Sequence, residues 1–183
     1  RAQILNLRKD LRIKLLRGNV DTRIRKLKEN NYDAIILSVA GLKRLGLTDY
    51  ITEELSDEQF PPAACQGTIG VQSKCDSNLK EIFKLVNHSE TEMESIAERE
   101  VLKNINANCN SPVSVYAKII NNMISVQCDI FDHDGNRLFS NKIFKEKENY
   151  IKIANILSQE ILNDLGQEKI NKLNELDDFN YTP

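Results

Sequence analysis

Cysteine and arginine are the residue types in this sequence best suited to chemistry, and they are placed very differently. The four cysteines, Cys65, Cys75, Cys109 and Cys128, are widely spaced and make no C-x-x-C pair. His88 and His133 are the only histidines, so no zinc-ligand pattern arises and no metal is expected. Taken alone, each cysteine reads as a small, partly buried apolar residue in a reducing compartment. The cationic residues instead crowd one end. Residues 1–28 hold ten Lys/Arg (Arg1, Arg8, Lys9, Arg12, Lys14, Arg17, Arg23, Arg25, Lys26, Lys28) against Asp10 and Asp21, a local balance of +8 in a chain of formal net charge −2. Such a segment favours an anionic partner, although solvated helix faces carry charge of this kind too.

Some classes of partner fall away. No run approaches the roughly 20 apolar residues that span a bilayer, and the opening RAQILNLRKDLR lacks the apolar core of a secretory signal. The reading is a cytoplasmic protein, or one of an organelle matrix in a eukaryote, with no membrane partner. Residues 1–28 contain none of the aromatic side chains that stack bases, which argues against nucleic acid. With 183 residues, 40% of them apolar, the chain can bury one large domain or two small ones.

The elements that must position these residues fall into two styles. Arg12-Ile13-Lys14-Leu15-Leu16 alternates before Arg17-Gly18-Asn19, which predicts a short strand and a turn. Val20, Ile24 and Leu27 then recur at helical spacing, with Asn19 or Asp21 placed to cap and Asn30-Asn31 closing the run. Ala34-Ile35-Ile36-Leu37-Ser38-Val39 predicts a strand buried on both faces, followed by a short helix stopped by Gly46. Strand, helix and strand in this order make a parallel α/β unit, whose C-terminal strand edge is the usual ligand side. Two such strands cannot form a covered sheet by themselves, so further chain is expected before Arg1, or another polypeptide.

Phe60-Pro61-Pro62 breaks the pattern and marks a crossing between domains, with Thr68–Gln72 as a short strand after it. Residues 77–87 and 89–106 read as helices, the second opened by Ser89 with Glu90, Glu92 and Glu94 near its start. Segments 113–120, 123–131 and 137–144 read as an antiparallel meander, joined by Asn121-Asn122 and by Asp132–Asn136. A helix over 148–164 and a partly helical acidic tail complete a helix-strand-strand-strand-helix domain.

Several segments carry a resemblance. Leu16-Arg17-Gly18-Asn19-Val20-Asp21-Thr22-Arg23, the run Tyr32 to Leu47, and Ala97-Glu98-Arg99 ten residues ahead of Cys109, with Pro112 behind it, resemble the hydroxymethylbilane synthase (porphobilinogen deaminase) family. Pro62-Ala63-Ala64-Cys65-Gln66-Gly67-Thr68-Ile69-Gly70 is similar to that family's Pro-Ala-x-Gly-Gln-Gly-Ala-x-Gly crossing. The likeness runs along the whole chain, which would begin inside the second of three domains.

The resemblance implies a transferase that joins four porphobilinogen molecules head to tail, releases ammonia at each step and frees hydroxymethylbilane, in heme biosynthesis. It implies a dipyrromethane cofactor held by a thioether to Cys109. Loss of ammonia from porphobilinogen leaves an electrophilic carbon that a thiolate can capture, so the residue type suits the role. The substrate and growing chain are strings of carboxylates, for which guanidinium forks are natural clamps. By position in the motifs, the resemblance places Arg17, Arg23, Arg44, Arg99, Ser38, Gly41 and Gln66 at the cofactor, and leaves Arg8, Arg12 and Arg25 as surface residues. It also implies a fold: a partial periplasmic-binding-protein-like α/β domain over 1–64, a crossing at 65–87 that returns to the first domain, and an α+β cofactor-anchoring domain over 88–183. The full-length form would be a monomer.

Departures accompany the likeness. The catalytic aspartate is expected upstream of Arg1, which puts activity of the chain by itself in doubt. Ala107-Asn108 stands where the family has Gly-Gly before the cysteine, and Cys65 and Thr68 replace small residues of the crossing. A rival reading is a non-catalytic binding protein for anionic ligands on the same fold. His88 and His133 match no catalytic position and read as loop or cap residues.

Overall fold

The computed structural model describes residues 1–76, 78–108 and 110–175. The chain forms two units: Arg1–Lys9 joins the segment from Phe60 onward, and Asp10–Gln59 stands as the other.

In the unit Asp10–Gln59, Asn19 starts helix α2 (Val20–Lys28) by accepting the Thr22 amide on its side chain at 2.9 Å. Helix α1 (Ala2–Leu7) belongs to the other unit. Asp21 in the first turn and Arg25, Lys26 and Lys28 in the last complement the helix dipole. Helix α3 (Val39–Arg44) ends just before Gly46, and a single 3-10 turn follows at Thr48–Tyr50. Ile24 and Leu42 are the buried apolar residues.

The strands expected at 12–16 and 34–39 are absent. Neither segment is in a strand, and Ile36 is 63% exposed where burial on both faces was expected. A strand exists through its ladder, and among the described residues these runs find no partner strand. The expected strand at 68–72 fails for the same reason, with Ile69 83% exposed.

The other unit holds the larger core. After the short helix α4 (Lys80–Leu85) comes α5 (Ser89–Asn104), whose cap is His88 and not Ser89: the imidazole Nδ1 accepts from the Thr91 amide at 3.3 Å. Strands β1 (Val113–Ile120), β2 (Met123–Phe131) and β3 (Arg137–Glu146) form an antiparallel sheet in the order β1-β2-β3, the expected meander. Asn121 and Asn122 sit at φ 50° and 65° between Ile120 and Met123, the two left-handed residues that a tight hairpin needs. Helices α6 (Tyr150–Leu165) and α7 (Gln167–Leu173) follow.

Helical spacing delivers Ala97, Val101 and Ile105 from α5 and its C-terminal end, and Ile153, Leu157 and Ile161 from α6, all fully buried. Strand alternation delivers Val115, Ile124, Val126, Cys128 and Ile130 against them. Helix α1, which the sequence reading missed, lies against the β2–β3 loop. Gln3 donates to the Pro61 carbonyl at 2.7 Å and Asn6 to the Gly135 carbonyl at 2.9 Å. A Cβ at Gly135 would stand 2.6 Å from that of Leu5, so this contact requires glycine.

Leu157→Ala should therefore cost about 3 kcal/mol of unfolding free energy, while Ile36→Ala should cost under about 0.5 kcal/mol. Chemical denaturation of the chain measures both. Equal losses would restore a buried strand at 34–39.

Candidate functional site

The Arg17–Arg23 segment is shaped by its backbone. Gly18 has φ 120°, and a Cβ there would lie 2.8 Å from Thr22 Cγ2, so a side chain is excluded twice over. Arg23 Nε donates to the Gly18 carbonyl at 2.8 Å, and Lys26 Nζ to the Arg17 carbonyl at 3.3 Å. One turn thus presents Arg17, exposed, and Arg23, half-buried. Ser38 is occupied locally: its hydroxyl accepts from the Gly41 amide at 3.3 Å and caps α3. Gly41 has an ordinary φ, and an added Cβ would meet Ser38 Cβ at 3.8 Å, so nothing within this unit requires glycine there. Arg44 lies in the last turn of α3 and is exposed.

The second group of expected site residues surrounds a buried carboxylate. Glu98 of α5 is 6% exposed, and its two oxygens accept from the backbone amides of Ala117 in β1, at 2.7 Å, and Cys65 in the crossing, at 2.6 Å. One turn earlier, Glu94 accepts from the Ile119 amide at 2.7 Å. Burial pushes the Glu98 carboxyl above the ordinary carboxylate range, and the two amides hold it back. Gln66, exposed, folds its own turn by accepting the Ala63 amide on its side chain at 3.2 Å. Arg99 follows Glu98 on α5, exposed, and its charge is felt at the Cys65 thiol. The structure therefore brings Gln66 and Arg99 to one neighbourhood, and Arg17 and Arg23 to another.

Sequence reasoning quoted Glu98 within a motif but gave it no task. The signal was available: carboxylates four apart on a helix rise about 6 Å, close to the two-residue repeat of a strand.

The described cysteines are poor nucleophiles or lack a setting. Cys128 is fully buried and burial raises its thiol far above the ordinary value. Burial and the nearby Glu98 raise Cys65, whose Sγ lies 3.7 Å from the Ser95 carbonyl. Cys65 also holds φ 59°, in the left-handed region. Cys75 is exposed. Cys109 lies outside the described residues.

Among the described residues, one cleft of about 460 Å³ is lined by residues that include Asn141, Glu160 and Asp164, and another of about 290 Å³ by residues that include Asp21, Arg25, Lys28 and Tyr50. Neither is lined by Arg17, Arg23, Arg44 or Arg99. The chemistry of the donors is still informative. Arg44 and Arg99 make no ion pair among the described residues, and Arg23 spends only Nε locally. Guanidinium groups left in this way can take carboxylates. Among the described residues no helix is long and apolar enough to cross a membrane, and no group of His, Cys, Asp and Glu is arranged to hold a metal ion.

Residues 1–81 match the family model described as porphobilinogen deaminase, dipyromethane cofactor binding domain, and residues 92–165 match porphobilinogen deaminase, C-terminal domain. The chain belongs to the porphobilinogen deaminase family. It is 36% identical over 175 residues to the porphobilinogen deaminase of Nitratiruptor sp., covering 94% of this chain and 56% of that one. The Clostridium acetobutylicum porphobilinogen deaminase is 36% identical over 163 residues, covering 89% and 55%. That of Campylobacter jejuni is 34% identical over 174 residues, covering 94% and 57%. The chain thus spans about half the length of the curated relatives it matches. Within the family, the three-stranded antiparallel sheet with its helices lies in the part that matches the C-terminal domain.

Two outcomes follow from the buried carboxylate and its neighbour. Because the Glu98 carboxyl is raised on folding, the folded state binds its proton more tightly. The stability this confers is complete below the unfolded value and is lost as pH rises through the folded one. Glu98→Gln should flatten the fall of unfolding free energy above pH 4.5, the group's ordinary value, in a urea series. An unchanged slope would refute this. At the crossing, Cys65→Gly should be more stable than Cys65→Ala by about 1 kcal/mol, since only glycine adopts the left-handed backbone without cost.

Proposed function

We propose that this chain is the C-terminal portion of a hydroxymethylbilane synthase, a transferase that polymerises four porphobilinogen molecules into hydroxymethylbilane with release of ammonia, in heme biosynthesis. The consecutive match of its two parts to two domains of one family carries the reading. The exposed guanidinium groups of Arg44 and Arg99 support it.

In this reading Cys109 holds the dipyrromethane through a thioether. When bound, that group supplies the primer on which the pyrrole chain is built. The chain's own residues bind and orient anions: Arg17 and Arg23 present a fork from one turn, Arg44 adds a charge at the end of α3, and Arg99 does so from α5. Ser38 and Gly41 offer the start of α3 to the same ligand, and Gln66 shapes the crossing near it. The proton transfers fall to an aspartate upstream of Arg1.

The proposed domain plan has a second α/β domain at 1–64, a crossing to the first domain at 65–87 and the anchoring domain at 88–183. A parallel sheet of the periplasmic-binding-protein type would give the apolar run Ala34–Val39 the ladder partners it needs, and would bury Ile36. The protein would act as a monomer in the cytoplasm, or in an organelle matrix, with porphobilinogen and the lengthening polypyrrole as its partners.

Protein expressed from its whole reading frame should carry a mass increase of two pyrrole units that survives denaturation and maps to Cys109. An unmodified Cys109 in that protein would overturn the assignment. Arg17→Ala and Arg23→Ala should each weaken retention of the anionic chain about tenfold more than Arg25→Ala, as loss of a charged hydrogen-bonding partner does. Equal effects at all three would reduce the clamp to general charge.

A further inference from the structure

The described residues on both sides of position 109 are held by their own side chains and by Asn174, the residue that follows α7. Ser111 accepts the Asn108 amide on its hydroxyl at 2.8 Å and donates that hydroxyl's proton to the Asn174 carboxamide oxygen. The Asn174 amide group donates to the Asn106 carbonyl at 2.7 Å. Asn108 closes the turn from inside by accepting the Asn110 amide on its side chain at 2.8 Å. At the other end of α7, Gln167 donates to the Ile105 carbonyl at 3.0 Å, one of the acceptors left open where α5 stops. Asn106 holds the left-handed conformation, φ 55°, and Ala107 does not. The bend at the end of α5 therefore needs no glycine in the two positions before Cys109, because asparagine side chains organise it.

We propose that Asn174 and Ser111 are positioning residues for the anchor cysteine, fixing the backbone on both sides of Cys109 so that its sulfur meets the incoming pyrrole. The inference rests on the proposed role of Cys109. It assigns a function to the α7 end that neither the motifs nor the arginines call for. In the loading step a bond forms between Cys109 Sγ and the aminomethyl carbon of porphobilinogen. The carbon–nitrogen bond of that group breaks, and ammonia leaves with the thiol proton. Asn174 and Ser111 take no part in this exchange of bonds. They act by restricting where the thiol can be, and a loose anchor loses rate through misorientation.

The test follows cofactor loading and not turnover. Cofactor-free protein expressed from the whole reading frame is mixed with porphobilinogen, and the two-pyrrole mass gain on Cys109 is timed beside the thermal midpoint. Asn174→Ala and Ser111→Ala should each slow loading about tenfold at a temperature where both are fully folded. The double variant should be slowed by less than the product of the two single effects, because the Ser111–Asn174 bond is lost in both. Asn163→Ala, on α6 and bonded to Gln159, should load as the wild type does. Should Asn174→Ala fail to fold, Ser111→Ala decides alone, since it breaks the same bond from the loop side. Wild-type loading rates in both variants, even with lowered midpoints, would show a merely structural bond and overturn the inference. Wild-type protein that never gains mass at Cys109 would instead remove the anchor assignment beneath it.

Discussion

Two carboxylates on one helix close the edge of the sheet. Strand β1 has β2 on one side only, so its outward amides would otherwise be left to water or to another chain. Glu94 and Glu98 take the amides of Ile119 and Ala117, and helix rise and strand rise match well enough for both bonds to form together. Glu98 spends its remaining oxygen on Cys65, which ties the crossing to the same helix. The buried charge is tolerated because backbone donors surround it. Removal of this side chain would strand two amides at once, at a cost of about 1–3 kcal/mol each.

From this constraint the rest of the sheet-bearing unit follows. With α5 fixed along β1, the adjoining stripe of Ala97, Val101 and Ile105 enters the core shared with α6, and the end of α5 is set where the residues around position 109 begin. Helix α7 then supplies Gln167 and Asn174 to the carbonyls left at that end. The arginines singled out at the candidate site are exposed or half-exposed.

The antiparallel half was legible because its instructions are local. Asn121-Asn122 demands a tight turn, alternation sets the inward face of β2, and spacing of Ile153, Leu157 and Ile161 sets that of α6. The segment 34–39 was misread because apolar content reports a wish for burial, while a strand requires neighbours that the described residues do not supply. Helix α1 was missed because its six residues gain their place from contacts with Pro61 and Gly135, far along the chain. At the candidate site, motif position named the arginines as candidates. It was silent on Glu98 and Asn174, whose roles depend on backbone amides and carbonyls distant in sequence. Cys65 shows the reverse case, a substitution visible in the sequence whose consequence, a left-handed cysteine, needs the backbone to be seen.

The account turns on whether carboxylates of α5 satisfy the outer amides of β1. Amide hydrogen exchange at Ala117 and Ile119 tests this most directly, with Val126 of the central strand as the reference. Protection at both positions comparable to that of Val126 is the predicted result. Exchange at the rate of an uncovered edge strand would contradict it, and with it the link from α5 to the crossing at Cys65.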